Sequence, residues 1–313
     1  MATILITHGI PKAGLEVLAG HEVIMPELLA AYSMDELMAL IPQADAVLAA
    51  GRLPGDVIRA GKKLKIIANY GAGYDSVDIA AAADCGVPVT NIPETVTDAT
   101  AELAIGLMLA VSRRIGEMNL RLRREDSTSL FGMGRYMGNT LRGRTLGVIG
   151  CGRIGSRVAE MAKALGMRVI AYSRRGVPAD VAEYAELNDL LAAADVISLN
   201  CPSTPETRHL INEEAFARMK DGAVLINTAR GAVVDHHALV NALRTGKLSG
   251  AGLDVFPEEP RIPAELLEMD NVVCTPHVGS NTAQTREIMA AACAKQILDA
   301  LAGKRPANIV NGI

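Results

Sequence analysis

The chain has no tryptophan, three phenylalanines and six tyrosines. An interior of 313 residues must therefore be filled almost wholly by Ala, Val, Ile, Leu and Met, side chains that suit helices laid on a parallel sheet. Charge of one sign is not in excess: 31 Lys and Arg against 35 Asp and Glu leave a formal net charge of −4, with no global attraction to nucleic acid or an anionic membrane. A long apolar run is missing too. Leu103–Ser112, the longest worth testing, is about half of what a membrane helix needs and is bounded by Glu102 and Arg113. The opening "MATILITHG" enters a strand pattern directly, without the basic and small-residue features of an export signal. Cys85, Cys151, Cys201, Cys274 and Cys293 are odd in number, widely spaced and set in apolar contexts, which argues against a disulfide framework. Neither an H-x-x-x-H pair nor a Cys/His cluster occurs, so no metal is assigned. These absences lead us to expect a cytoplasmic protein with neither a membrane nor a nucleic acid as partner.

What is present is alternation. Short apolar runs ("TILIT", "HEVIM", "DAVLAA", "LKIIANY", "VPVTN", then "TLGVIG", "RVIAY", "DVISLN", "AVLINT", "GAGLDV", "NVVCTP") are separated by segments such as "MDELMALI", "SRVAEMAKALG" and "HHALVNALRTG", whose apolar residues recur every three or four positions. Strand and helix in alternation predict parallel sheets. Two such series meet near "NIPETVTDATAELAIGLMLAVSRR". There Pro93 ends a strand, Thr97 or Asp98 can cap a helix, and that helix is expected to run to about Arg124. A second long helix is expected in "SNTAQTREIMAAACAKQILDALAG", ending at Gly303. The Gly- and Met-rich stretch from Asp126 to Asn139 reads as the least structured and as a candidate pocket wall.

"TLGVIGCGRIGS" places Gly150, Gly152 and Gly155 in a G-x-G-x-x-G pattern between a strand and an amphipathic helix, with a second strand ending about twenty residues on. Gly150 permits the tight turn, Gly152 lets backbone approach a pyrophosphate, and Gly155 lets helix and sheet pack closely. The helix start, with Arg153 and Ile154, offers N–H groups and a partial positive charge to phosphates. A dinucleotide site is the expected result. At the end of the second strand, where an Asp or Glu would bind the ribose hydroxyls and repel a 2′-phosphate, stand Ser173, Arg174 and Arg175. Guanidinium groups favour bidentate bonds to a phosphate dianion. The pattern therefore favours NADP(H) over NAD(H), the alternative being two solvated surface charges.

Ligands of open parallel sheets bind outside the carboxyl ends of the strands. Here those ends carry "NCPST", "NTARG", "LDVFPEEP" and "TPHVGS". Cys201, Pro202, Thr207, Thr228, Ala229 and Gly279 are counted among the cofactor contacts, with Arg230, Asp254 and His277. Reduction of a carbonyl needs a proton at oxygen, and His277 is the best acid because imidazole titrates near neutral pH. Glu259 can hydrogen-bond its other ring nitrogen, while Arg230 can pair with a substrate carboxylate and polarise the carbonyl. Each alone has a structural explanation; together on one edge they read as catalytic. Arg52, in "AAGRLPGD", is a candidate substrate contact.

The segments "NYGAGYDSVD", "LRGRTLGVIGCGRIGSRVA", "NTARGAVVD", "GAGLDVFPEEP" and "TPHVGSNT" together resemble the D-isomer-specific 2-hydroxyacid dehydrogenases nearly end to end. The resemblance implies two flavodoxin- or Rossmann-like domains with a cleft between them, usually dimeric. The substrate domain would comprise residues 1–98 plus 286–313, and the cofactor domain 99–285. It implies that Arg230, Glu259 and His277 are the catalytic Arg, Glu and His, that Asp254 contacts the nicotinamide end of the cofactor, and that the Ala72-Gly73 backbone binds the substrate carboxylate. Ser173 departs from the Asp of many members and points toward NADPH-using reductases of glyoxylate and hydroxypyruvate. "LFGMGRYMGN" lacks the tryptophan that many relatives carry. The expected activity is reduction of a small 2-oxo acid to a D-2-hydroxy acid. A phosphoglycerate dehydrogenase, an aromatic 2-oxo acid reductase and a non-catalytic nucleotide sensor are the alternatives.

Overall fold

The computed structural model describes residues 1–313, the side chain of Ser127 excepted. By internal contacts the chain divides into two compact units, Met1–Val96 with Ser280–Ile313, and Thr97–Gly279.

In the first unit, strands β1 (Thr3–Ile6), β2 (Glu22–Ile24), β3 (Ala46–Ala49), β4 (Ile66–Asn69) and β5 (Val89–Thr90) form a parallel sheet in the order β2-β1-β3-β4-β5. β3 and β4 are buried along their whole length, as strands covered on both faces must be. Part of that cover is the C-terminal helix Ala283–Leu301, which lies on β3 and β4 and buries Met289, Ala290, Cys293, Ala294 and Ile297. Thr282 caps it by accepting the Thr285 N–H. A buried polar contact fixes its docking: Gln296 accepts from the Thr90 hydroxyl at 2.8 Å and donates to the Asn91 carbonyl at 3.0 Å. The tail then closes the sheet edge, with Asn311 bonded to the Val89 N–H and the Val87 carbonyl.

The second unit holds β6 (Thr145–Ile149), β7 (Arg168–Tyr172), β8 (Glu183–Tyr184), β9 (Val196–Leu199), β10 (Ala223–Asn227), β11 (Leu248–Leu253) and β12 (Val272–Cys274), all parallel, in the order β12-β11-β10-β9-β6-β7-β8. Direction along the sheet reverses between β6 and β9, the switch point where such sheets take their ligands. β8 was not among the expected strands. It is an exposed edge of two residues whose cross-strand support is the Arg168–Glu183 ion pair at 2.7 Å, so it has no apolar signature.

The single helix expected from Thr97 to about Arg124 is two, Thr97–Ser112 and Ile115–Arg124. The Ser112 carbonyl accepts the Asn139 N–H at 2.7 Å instead of extending the helical ladder, and Arg114 takes a left-handed conformation. The first helix packs Ala101, Ala104, Leu107 and Met108 with Val224 and Ile226 of β10. The second buries Glu117 between Arg114 and Arg121, at 2.6 and 3.0 Å. Residues 126–139 carry a four-residue helix, Ser127–Leu130, and a turn at 133–136, and expose Phe131, Met133 and Met137. Met137, Gly138 and Asn139 do line a cavity, but with Ser249, Asp270 and Asn271, at the amino ends of β11 and β12 and so opposite the ligand edge.

The units part at Val96/Thr97 and Gly279/Ser280, where the sequence suggested 98/99 and 285/286. The helix from Thr97 belongs to β10 from its first turns, and the Gly279 N–H is bonded to Asp254, which keeps the chain to that point in the second unit.

Gln296→Leu strands the Thr90 hydroxyl, which has no exposure, and is expected to cost about 1–3 kcal/mol. A urea titration should show a lowered midpoint, and adding Thr90→Val should restore part of it because both partners are then apolar.

Candidate active site

The turn after β6 is built as a nucleotide cradle. Gly150 has φ +95°, and a Cβ there would lie 2.6 Å from the Cys201 nitrogen. A Cβ on Gly155 would lie within 2.0 Å of the Gly150 carbonyl oxygen, whereas one on Gly152 would meet open space. The glycines thus answer two different demands, close packing at 150 and 155 and free approach at 152. The following helix, Arg153–Ala164, begins at Gly152 with neither a capping side chain nor an acid in its first turn. Such an end suits an anion.

Beside it, the Gly150 N–H donates to the Tyr172 carbonyl at the end of β7, and the chain turns through Ser173, Arg174 and Arg175. The Gly176 N–H closes that turn on the Ser173 carbonyl, and both arginine side chains are exposed. After β9, the loop Cys201–Thr207 is stitched to itself: the Thr207 hydroxyl donates to the Pro202 carbonyl and accepts the Thr204 N–H. Burial raises the Cys201 thiol to about 11, so it offers a neutral surface. Two buried polar atoms at these strand ends, Asn200 Oδ1 and Thr228 Oγ1, have no hydrogen-bond partner among the described residues. Native proteins seldom leave such atoms unpaired, and a bound nucleotide edge would complete them. The residues present therefore fit a dinucleotide.

At the end of β10, Asn227 grips the turn that carries Arg230. Its Oδ1 accepts the Ala229 N–H and its Nδ2 donates to the Arg230 carbonyl, both at 3.0 Å. Gly231 follows against the Phe256 carbonyl group, leaving no room for a side chain. Arg230 acts electrostatically on Glu259.

His277 Nδ1 and Glu259 Oε2 lie 2.7 Å apart, and the second carboxylate oxygen accepts the Phe256 N–H at 3.0 Å. Burial alone would raise the Glu259 carboxyl. Hydrogen bonds from His277 and Phe256, with the nearby charges of His277 and Arg230, outweigh it and hold the group below the usual carboxylate range. Glu259 is thus an anion at neutral pH and, being an acceptor only, takes its hydrogen bond from the Nδ1–H of His277. His277 itself sits at φ 52°, in a turn fastened by Asp254. Asp254 Oδ1 accepts from the Thr275 hydroxyl at 2.6 Å and the Val278 N–H at 2.8 Å, and Oδ2 from the Gly279 N–H at 2.9 Å. The sequence suggested a nicotinamide contact for Asp254; the contacts it makes inside the protein are those that shape the His277 turn.

Ala72, Gly73 and Arg52 belong to the first unit. Asn69 Nδ2 donates to the carbonyls of Gly71 and Gly73, and Asn91 Nδ2 to that of Ala72. Arg52 is exposed in the loop after β3. The sequence reading missed Asn69, Asn91 and Asn227 as positioning groups. Their common signal is an asparagine at a strand's carboxyl end followed by a glycine- or proline-containing turn. Among the described residues no group of three or more His, Cys, Asp or Glu is placed to hold a metal, and no helix is long and apolar enough to cross a membrane.

Fold and site define a nicotinamide-dinucleotide oxidoreductase with a His–Glu pair and an arginine at its reactive end. The family of D-isomer specific 2-hydroxyacid dehydrogenases, through its NAD binding domain, matches residues 105–279. Glyoxylate reductase of Thermococcus litoralis is 42% identical over 98% of this chain and 96% of its own. D-3-phosphoglycerate dehydrogenase of Methanocaldococcus jannaschii is 39% identical over 99% of this chain but only 60% of its own. Among solved structures, the NADPH-dependent glyoxylate/hydroxypyruvate reductase of Sinorhizobium meliloti in complex with NADP and malonate superposes with a TM-score of 0.86 at 32% identity, covering 99% of this chain and 96% of that one. The chain belongs to the D-isomer-specific 2-hydroxyacid dehydrogenase family and is an oxidoreductase acting on 2-hydroxy or 2-oxo acids.

Glu259→Gln should slow 2-oxo acid reduction by up to about 10²-fold, at the lower end of what a positioned acid supplies. Reduction consumes a proton and fails as pH rises. Without the carboxylate, the imidazolium loses its counter-charge, so the alkaline limb of the kcat/KM profile should move to lower pH. An unmoved limb would show that Glu259 only orients the ring.

Proposed function

We propose that the protein reduces small 2-oxo acids, glyoxylate and hydroxypyruvate foremost, to D-2-hydroxy acids with NADPH as the preferred donor. The observation that carries this reading is the 2.7 Å His277–Glu259 pair on the same sheet edge as Arg230. When bound, the reduced nicotinamide supplies the hydride equivalent that reaches the carbonyl carbon. The protein's own groups then have three tasks. Arg230 pairs with the substrate carboxylate and polarises the carbonyl, as charge grows on its oxygen. Protonated His277 gives its Nε2 proton to that oxygen, so the carbon gains hydride, the oxygen gains H⁺, and the alcohol leaves with the imidazole neutral. Glu259 keeps the ring oriented and favours its charged form before transfer.

The Ala72-Gly73 turn is assigned the substrate carboxylate as well, on the strength of its asparagine-held carbonyls, and Arg52 the outer end of the substrate. Cofactor contacts are assigned to Gly150, Gly152, Arg153, Ile154, Gly155, Cys201, Pro202, Thr207, Thr228, Ala229 and Gly279. Asp254 acts on the nicotinamide end through the turn it holds. Preference for NADP(H) rests on Ser173 in place of an acid and on Arg174 and Arg175 beside it. Exposed Phe131, Met133 and Met137 support a homodimer through the segment 126–139, and the free thiols suit a reducing, cytoplasmic setting. The relative named for phosphoglycerate supports one second reading, oxidation of a phosphorylated 2-hydroxy acid, in which Arg52 would meet the phosphate.

Turnover of glyoxylate, hydroxypyruvate and 3-phosphoglycerate with each nicotinamide form tests these assignments. The two 2-oxo acids should be reduced, faster with NADPH, and His277→Ala should lose about 10²–10⁴-fold in kcat with cofactor binding intact. Arg174→Ala/Arg175→Ala should raise the KM for NADPH and leave that for NADH in place. Faster turnover of 3-phosphoglycerate would replace the substrate assignment, and equal use of both cofactors by wild type and double variant would remove the NADPH preference.

A further inference from the structure

Arg174, after β7, faces a carboxylate that the proposed chemistry does not use. Arg174 Nη1 lies 3.6 Å from Glu206 Oε2. Glu206 is not a loose surface acid. The Thr204 hydroxyl donates to the same Oε2 at 2.7 Å, and Thr204 is itself tied through its N–H to Thr207 in the stitched loop after β9. The Thr204 bond, helped by the Arg174 charge, keeps the Glu206 carboxyl below its usual range. The contact with Glu206 sets the Arg174 guanidinium beside this loop. The loop in turn packs on Gly150, at the centre of the cofactor cradle.

Building on the reading of Ser173–Arg175 as a phosphate clamp, we infer that Glu206 is an internal counter-ion that competes with a cofactor 2′-phosphate for Arg174 and so sets how strongly the site prefers NADP(H) to NAD(H). The physics is one of incompatible neighbours. A guanidinium has donors enough for two acceptors, but a carboxylate and a phosphate dianion on the same cation repel each other. The phosphate must displace Glu206 or accept the repulsion, whereas a 2′-hydroxyl meets neither penalty. Glu206 therefore weakens NADP(H) binding selectively, and it gives Arg174 a partner when NAD(H) is bound. Both side chains are more than half exposed, so the effect is screened and modest.

The test is calorimetric titration of the purified chain with NADP⁺ and with NAD⁺, for wild type, Glu206→Gln, Arg174→Ala and the double variant. Glu206→Gln should tighten NADP⁺ by about two- to fivefold and leave NAD⁺ unchanged, and the gain should vanish when Arg174 is already Ala. The inference is overturned if Glu206→Gln moves neither ligand, or both alike, while Arg174→Ala still weakens NADP⁺; the clamp then stands without its counter-ion. A gain that persists beside Arg174→Ala would overturn the competition for Arg174 and leave direct repulsion in its place. If Arg174→Ala leaves NADP⁺ unaffected, the clamp itself fails and the inference falls with it.

Discussion

The buried side chain of Asp254 is the constraint on which the reactive end of the second unit depends. It stands just after β11 at 1% exposure, and its two oxygens take three donors from the segment that follows β12. Carboxyl oxygens so far from water need those donors, and the segment in turn cannot follow another path without stranding them. This reciprocal lock makes a left-handed φ tolerable at His277, a residue without glycine's freedom. From that turn the ring reaches Glu259, whose second oxygen is occupied by the Phe256 N–H. The two acids divide the work. One shapes the backbone that carries the histidine, and the other sets the charge beside the ring.

A second device recurs in both units. Asn69, Asn91 and Asn227 stand at the carboxyl ends of β4, β5 and β10, and each spends its amide on backbone groups of a turn two to four residues or one strand away. A parallel strand ends with its last carbonyls unpaired just where the chain must turn over a ligand. A buried amide, with donors and an acceptor on one short stem, can hold that turn without occupying the space above it. Asn200 fits this series with a difference. Its Nδ2 is committed to Ser198 while its Oδ1 is buried and unpaired, as is the hydroxyl of Thr228. The sheet edge is finished where it must be rigid and left unfinished where a nucleotide would lie.

Legibility in the sequence followed burial. Eleven apolar runs are strands in the structure, most of them buried, although β2 is largely exposed and was legible from its apolar residues alone. β8, with two exposed residues and an ion pair, writes nothing. The break at Arg114 was hidden because Ala-rich and Arg-rich halves both favour helix, and only the Asn139 N–H, distant in sequence, diverts the Ser112 carbonyl. Arg230, Glu259 and His277 were legible because their residue types have few reasons to gather on one edge. The asparagine grips and the Arg174–Glu206 pair were not, since short-range hydrogen bonds and loop-to-loop charge contacts have no period to read.

What differs between the His277–Glu259 pair and the exposed arginines after β7 is the burial of the group that anchors each. His277 and Glu259 are themselves exposed, but the turn that bears His277 is fastened by the buried Asp254, so its geometry is tied to the stability of the fold itself. The groups that would distinguish a 2′-phosphate from a 2′-hydroxyl, Arg174 and Glu206 among them, are exposed and joined to the core only through the turns that bear them. Substitution there changes a screened Coulomb interaction and little else. Substitution at Asp254 or Asn227 changes backbone paths. Cofactor choice in this architecture is therefore adjustable in small steps without disturbing the histidine, because the interactions that govern the two do not share a residue.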